Sequence, residues 1–318
     1  MKKIMLLHTG GTISMAEDEF GSVGQQTEHP LANLAANLGM AARIEEEVLF
    51  NLPSPQIEPE HVLEIANLIR HSDADAFVIT HGTDTLEESA YLLDLITPAG
   101  KPIVMTGAMR SSNELGSDAA ANLSAALLTA VHGTQTDMGV IVVLNGEIHG
   151  AKEVYKKSSI NLASFKSANG PLGLITKNGP VYVRQVQKKV SLTVQSLNSR
   201  VFLLKAYEGM DGELIEAVSH LHPDGIVIEA FGQGNLPKKA MPALQRTIEM
   251  NIPIIIVSRC VESVVQPTYD YQGGGKQLKD LGAIQVSGLS GPKPRLKLLA
   301  VLNIAKSQQE IEEYMIQS

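Results

Sequence analysis

Three clusters of hydroxyl, imidazole and carboxylate side chains stand directly behind or at the end of short apolar runs. His8-Thr9-Gly10-Gly11-Thr12 follows Ile4 to Leu7, Thr80-His81-Gly82-Thr83-Asp84-Thr85 closes Ala76 to Thr80, and Thr106-Gly107-Ala108-Met109-Arg110-Ser111 closes Pro102 to Thr106. A threonine hydroxyl is a poor nucleophile at neutral pH and needs a base or an electrostatic neighbour to lose its proton. Gly10 and Gly11 permit positive φ and close backbone approach, which presents Thr12 and lets backbone amides point at an oxyanion. Lysines that could assist lie at 152, 156 and 157, behind the apolar run Gly139 to Leu144. With Asp84 to hold such a lysine, carboxylate, lysine and threonine form a relay defined by roles rather than chain order.

Each cluster has a plainer reading. Gly-Gly-Thr alone is more often a tight strand-to-helix connection, and Gly-Thr-Asp-Thr alone is a generic helix cap. Two such clusters at neighbouring strand ends point to a site without naming its reaction. Thr83 and Asp84 precede a helix start, where the exposed amides favour negative charge in a ligand. Arg110 reads either as an anion anchor or as the structural partner of a carboxylate, with the second favoured. His8 and His81 have no matching carboxylate or histidine spacing and read as core or rim histidines. Glu45-Glu46-Glu47 reads as solvated surface. Gly273-Gly274-Gly275-Lys276 lacks the leading glycine and the Ser or Thr of a phosphate loop.

The elements that must position these clusters follow from periodicity. The four apolar runs read as buried parallel strands. Between them lie helical patterns, with Pro59-Glu60 opening Val62 to Ile69 and Thr85 with Glu88 forming a capping box. This β-α-β alternation predicts an α/β fold, a doubly wound, mostly parallel sheet with loops at the strands' carboxyl ends as the ligand site. Residues 164–194 read as hairpins and a linker, with turns at Gly170-Pro171-Leu172-Gly173 and Asn178-Gly179-Pro180. Alternation then resumes: strands at Val201 to Leu204, Gly225 to Glu229 and Ile254 to Val257, and helices at Gly212 to His220, Lys238 to Met250, Pro294 to Ala305 and Gln308 to Ile316. The expected division is a larger catalytic domain over 1–190, a linker and first strand over 191–209, and a smaller α/β domain over 210–318.

Composition narrows the function classes. A formal net charge of -8 gives no basic footprint for nucleic acid. The apolar run after Met1 is too short for a signal-peptide core, and no 18-residue apolar span suggests a membrane helix. Cys260 is the single cysteine, which excludes an intrachain disulfide or a cysteine-based zinc site within one chain. A cytoplasmic protein without nucleic-acid or membrane partners is the expectation.

Thr9-Gly10-Gly11-Thr12-Ile13 together with His81-Gly82-Thr83-Asp84-Thr85 gives the sequence its clearest resemblance. It resembles bacterial L-asparaginases of the threonine-dependent type from end to end, with further matches at Thr106 to Arg110, Gly170 to Gly173 and Gly232-Gln233-Gly234-Asn235. The resemblance implies hydrolysis of asparagine to aspartate and ammonia through an acyl-enzyme, with no metal and no organic cofactor. By position, Thr12 looks like the nucleophile, and Thr83, Asp84 and Lys156 like the second catalytic group. Ser54 matches the serine that holds the substrate α-carboxylate, Asp84 would meet its ammonium, and Gly11, Pro55, Gly82 and Ala108 would stand around the substrate. Asn235 would reach the neighbouring subunit's site, which implies an intimate homodimer or a homotetramer of two such dimers.

Departures from the family pattern are specific. The loop after the first signature, Glu17-Asp18-Glu19-Phe20-Gly21-Ser22, has no tyrosine; Pro55-Gln56 stands where secreted members carry Gln-Asp; and the glutamate that secreted members supply from a neighbouring subunit is replaced near Tyr269. With no signal segment and no disulfide, the sequence looks like the cytoplasmic branch, where such changes are expected. The rivals are a non-catalytic amino-acid sensor on the same scaffold, marked by the missing tyrosine, and the related amidohydrolase subunit of transfer-RNA-dependent amidation, which carries an extra amino-terminal domain.

Overall fold

The computed structural model describes residues 1–26, 31, 42–133, 138–185, 191–289 and 291–317. The chain divides into two compact units, Met1–Ser191 and Leu192–Ser318. The expected boundary at residue 190 lies outside the described residues.

The first unit is built on an eight-stranded sheet. Its parallel part comprises β1 (Lys2–His8), β4 (Ala42–Val48), β5 (Ala76–Thr80), β6 (Ile103–Thr106) and β7 (Val140–Leu144), in the order β4-β1-β5-β6-β7. The chain then reverses at Asn145-Gly146, both with positive φ, the residue pair that a tight hairpin turn favours. Antiparallel strands β8 (Glu147–Gly150), β11 (Gly173–Thr176) and β12 (Gly179–Tyr182) complete the sheet, so it is mixed and mostly parallel. Two short hairpins stand apart from it: β2 (Met15–Glu17) with β3 (Val23–Gln25), and β9 (Val154–Lys156) with β10 (Phe165–Ser167).

β5, β6 and β7 are buried along their whole length, because helices cover both faces of a parallel sheet. One face is filled by α3 (Ala119–His132). Its Leu123, Ala126, Leu127 and Ala130 pack with the alternate residues Ile4, Leu6, Val78, Val104, Ile141 and Val143. The other helices of this unit among the described residues are α1 (Pro59–His71) and α2 (Leu86–Ile96). The expected capping box at the start of α2 does not form. The Thr85 hydroxyl donates instead to the Ser54 carbonyl at 2.8 Å, a tertiary contact that local sequence does not announce.

The acidic run faces solvent as expected, with Glu46 and Glu47 exposed and Glu45 half-buried. Glu45 to Glu47 belong to β4, an edge strand whose charges discourage further strand pairing, and Glu46 turns towards β1 to bond His8.

The second unit holds a four-stranded parallel sheet: β13 (Val201–Lys205), β14 (Gly225–Ala230), β15 (Ile254–Ser258) and β16 (Ile284–Gln285). Helices α4 (Glu213–Ser219), α5 (Met241–Glu249), α6 (Gly275–Asp280), α7 (Pro292–Leu302) and α8 (Gln308–Ile316) surround it. Ile226, Ile228, Ile254 and Ile256 pack with Ile215, Met241 and Leu244. The buried Lys297 Nζ donates to the Met315 carbonyl at 3.2 Å and also to that of Gln317, which satisfies acceptors at the end of α8. No helix of the described residues is long and apolar enough to cross a membrane.

Candidate active site

The parallel strands of the first unit deliver their following loops to one edge, and the first two signatures meet there through glycine. Gly11 has φ 82°, and a Cβ on it would lie 2.1 Å from Gly82 Cα. A Cβ on Gly82 would in turn lie 2.7 Å from Ser54 Cβ. Glycine at these two positions is therefore a steric condition for the loops to touch. The contact is reinforced by Thr9, whose N–H and hydroxyl both donate to the Thr80 carbonyl, at 3.1 and 2.8 Å.

Thr12 opens a single 3-10 turn over Thr12–Ser14, half-buried, beside an open cavity of about 180 Å³. Gly11, Ser54, Pro55, Gly82, Thr83, Asp84 and Lys156 share that cavity with it. Lys156 Nζ donates to Thr83 Oγ1 at 2.9 Å and to Asp84 Oδ1 at 2.7 Å. The lysine side chain is 14% exposed and the Asp84 side chain 64%, so the ammonium is sheltered while its carboxylate partner faces solvent. Ser54 is buried in a 3-10 turn that begins after Pro53. Its Oγ accepts the Asp84 N–H at 3.2 Å, tying the first residues of that turn to the second signature.

The Asn145-Gly146 reversal carries β8 back along β7, away from the rim, until Gly150 stands opposite Ile141, and only the β9 and β10 hairpin that follows the Gly150–Glu153 turn brings Lys156 to the cavity. The hairpin that carries it is held to the sheet through β10 and, just before β9, through Glu153. His149 Nδ1 and Ser167 Oγ are 3.0 Å apart, and Lys166 Nζ bonds both oxygens of Glu147, at 3.1 and 2.9 Å. Arg184 bonds Glu153 through both terminal nitrogens, at 3.1 to 3.2 Å. Burial pushes the His149 ring down to about 4, against the opposing pull of Glu147.

Two expected residues are not among those that line the cavity. Ala108 is buried in the core of the first unit, and it is Met109 that lines the cavity. Asn235 belongs to the second unit, where its Oδ1 accepts the Gly275 N–H at 3.0 Å. Met15, Pro53 and Ser159 also line the cavity without having been expected. The signal for them is proximity in sequence: Met15 ends the turn that Thr12 begins, Pro53 precedes Ser54, and Ser159 lies three residues beyond Lys156. Arg110 bonds Glu114 at 3.3 Å and the carbonyls of Leu115 and Gly116, the structural alternative for this side chain. His81 is fully buried, with Nδ1 2.7 Å from the Gly82 carbonyl, and burial pushes its ring down to about 4. Among the described residues its Nε2 has no hydrogen-bond partner, so the ring is less fully satisfied than an ordinary core histidine.

Residues 3–188 match the model of the asparaginase N-terminal domain, and residues 200–315 that of the glutaminase/asparaginase C-terminal domain. The chain belongs to the asparaginase family. A probable L-asparaginase of Deinococcus radiodurans is 36% identical, with 100% of this chain and 98% of that protein aligned. An L-asparaginase of Bacillus licheniformis is 34% identical, with 95% of each covered. The crystal structure of a probable cytoplasmic L-asparaginase from Campylobacter jejuni superposes with a TM-score of 0.86 at 29% identity, covering 100% of both chains. The two-domain α/β architecture is thus the asparaginase one, and the cavity lies at the junction of its two signature loops.

Proposed function

We propose that this asparaginase hydrolyses L-asparagine to L-aspartate and ammonia with Thr12 as nucleophile. The observation that carries the reading is Lys156 Nζ bonded to both Thr83 and Asp84 in the cavity that Thr12 lines. Thr12 attacks the side-chain amide carbon, and its proton passes along the Thr83–Lys156 relay to the departing nitrogen, which leaves as ammonia. Water then splits the acyl-threonine ester and restores the hydroxyl. Amides of the glycine turn receive the oxyanion, each donor contributing about 3 to 4 kcal/mol in comparable sites. Ser54 and Asp84 hold the α-carboxylate and ammonium of the substrate, and Gly11, Pro55, Gly82 and Met109 bound it. No metal or organic cofactor enters this scheme.

The active assembly in this reading is a homodimer or a pair of dimers in the cytoplasm, with Asn235 of one subunit serving the site of the next. Ammonia release from asparagine by the wild type, lost in Thr12→Ala with the fold intact, is the expected result. A Thr12→Ala variant that turns over at the wild-type rate removes Thr12 as nucleophile. Binding of asparagine without turnover by the wild type supports the sensor reading instead. Sedimentation of the intact protein tests the assembly, and a monomer with full activity rejects it.

A further inference from the structure

The strongest cluster of titratable groups outside the cavity lies beneath the first signature. His8, the last residue of β1, pairs in register with Thr80, the last residue of β5. Its ring is 1% exposed and bridges two side chains: Nε2 stands 2.8 Å from Glu46 Oε1 on β4, and Nδ1 stands 2.8 Å from Thr80 Oγ1. An ionised carboxylate only accepts, so the Nε2 proton points to Glu46 and Nδ1 is left as the acceptor for the Thr80 hydroxyl. Thr80 is fully buried, and its carbonyl takes both the N–H and the hydroxyl of Thr9. Three residues beyond Thr9 comes Thr12, and three beyond Thr80 comes Thr83.

We propose that Glu46, His8 and Thr80 form a buried positioning relay that fixes the strand end bearing Thr12 against the strand end bearing Thr83 and Asp84. The three side chains have the carboxylate–imidazole–hydroxyl order of a hydrolytic triad, but the hydroxyl is sealed from solvent and attacks nothing. Its part is geometric. The carboxylate selects the tautomer of His8, the tautomer selects the rotamer of the Thr80 hydroxyl, and the Thr80 carbonyl holds the turn that presents Thr12. His8, Glu46 and Thr80 are positioning residues, and the inference rests on the assignment of Thr12 and the Lys156 relay above.

The test compares His8→Leu, His8→Asn, Glu46→Ala and Glu46→Gln with wild type and Thr12→Ala, each assayed well below its own Tm. Ammonia release gives kcat and KM, and L-aspartate titration gives the product's Kd. His8→Leu lowers kcat by about tenfold or more while the aspartate Kd stays within about twofold, because misplacement of reacting groups costs turnover before it costs binding. His8→Asn, whose amide reaches the place of Nδ1, recovers most of that loss. Glu46→Ala loses kcat in the same sense and Glu46→Gln, which still accepts from Nε2, does not. If His8→Leu does not fold, the Glu46 pair decides, since that side chain is 30% exposed and its replacement leaves the core intact. Wild-type kcat in folded His8→Leu and Glu46→Ala overturns the relay, as does a loss that His8→Asn and Glu46→Gln share in full. An active Thr12→Ala overturns the underlying assignment instead, which keeps the two failures apart.

Discussion

Gly11 and Gly82 lie so close that a single methyl group on Gly11 would be 2.1 Å from the Gly82 α-carbon. Backbone-to-backbone approach of this kind cannot relax by moving a side chain. Gly11→Ala combines that overlap with a positive φ and is expected to destabilise the fold by about 1 to 3 kcal/mol. It should also lower asparagine turnover by about a hundredfold. Thermal unfolding and ammonia release check the two effects. A variant with wild-type turnover would show that the loops need not touch for the reaction.

Lys156→Met keeps the length of the side chain and removes its charge and hydrogen bonds. The expected outcome is a fall in kcat of about 10² to 10⁴, with little change in Tm. Stability is insulated because the partner carboxylate is largely solvated, and such pairs add about 1 kcal/mol at most. Steady-state kinetics and a melting curve on the same preparation separate the terms. A large Tm loss with kcat intact would make the lysine a structural residue.

Asp118, just before α3, accepts the N–H of Met109 at 3.1 Å, that of Arg110 at 3.0 Å and the side-chain amide of Asn122 at 2.9 Å. Removing the carboxylate leaves those donors short of an acceptor in a buried place. Asp118→Ala should therefore lose about 1 to 3 kcal/mol of stability and raise KM as Met109 leaves the cavity wall. Asp118→Asn retains an oxygen and should lose less of both. Equal effects of the two variants would count against the carboxylate as the anchor of this loop.

Acid stability follows from the buried imidazoles. Burial holds the His81 ring at about 4, whereas the unfolded chain protonates near 6.5. Above pH 6.5 neither state binds this proton, so there is no contribution. Between 6.5 and 4 the unfolded state binds more protons, so stability is lost as the pH drops, and the loss levels off below 4. Fully developed, it is about 3 kcal/mol for this histidine. His8 is also held at about 4 by burial, but it bonds Glu46 and Thr80, so replacing it removes more than a titrating ring and His81 is the cleaner reporter. Urea unfolding from pH 7 to pH 4 should be markedly flatter for His81→Gln than for wild type, and parallel curves would refute the assignment.

Reading the fold from sequence works where one local cause dominates. β5, β6 and β7 are unbroken β-branched and apolar runs because both faces of a parallel strand are covered, and such runs resemble nothing else of that length. β4 escapes the same reading because an edge strand has few apolar neighbours to require, and its glutamates describe solubility rather than pairing. The antiparallel return at Asn145-Gly146 carries a strong turn signal, yet only the paired strand β8 shows where it leads. The capping box at Thr85 fails because the Ser54 carbonyl, 31 residues away, offers its hydroxyl a partner.

The sequence by itself determined the family, the α/β class and the residue types of the site, because glycine, threonine, aspartate and lysine at those positions are chemical conditions written residue by residue. Tertiary structure decided which of them stand together. It placed Lys156 on Thr83 and Asp84, put Met109 rather than Ala108 at the cavity, and joined His8 to Glu46 and Thr80 across three strands. Those contacts span 38 to 73 residues of chain. Side-chain type is a local property, but distance at that separation is set by strand register and by how a reversal aims the chain, and neither is encoded at the residues that meet.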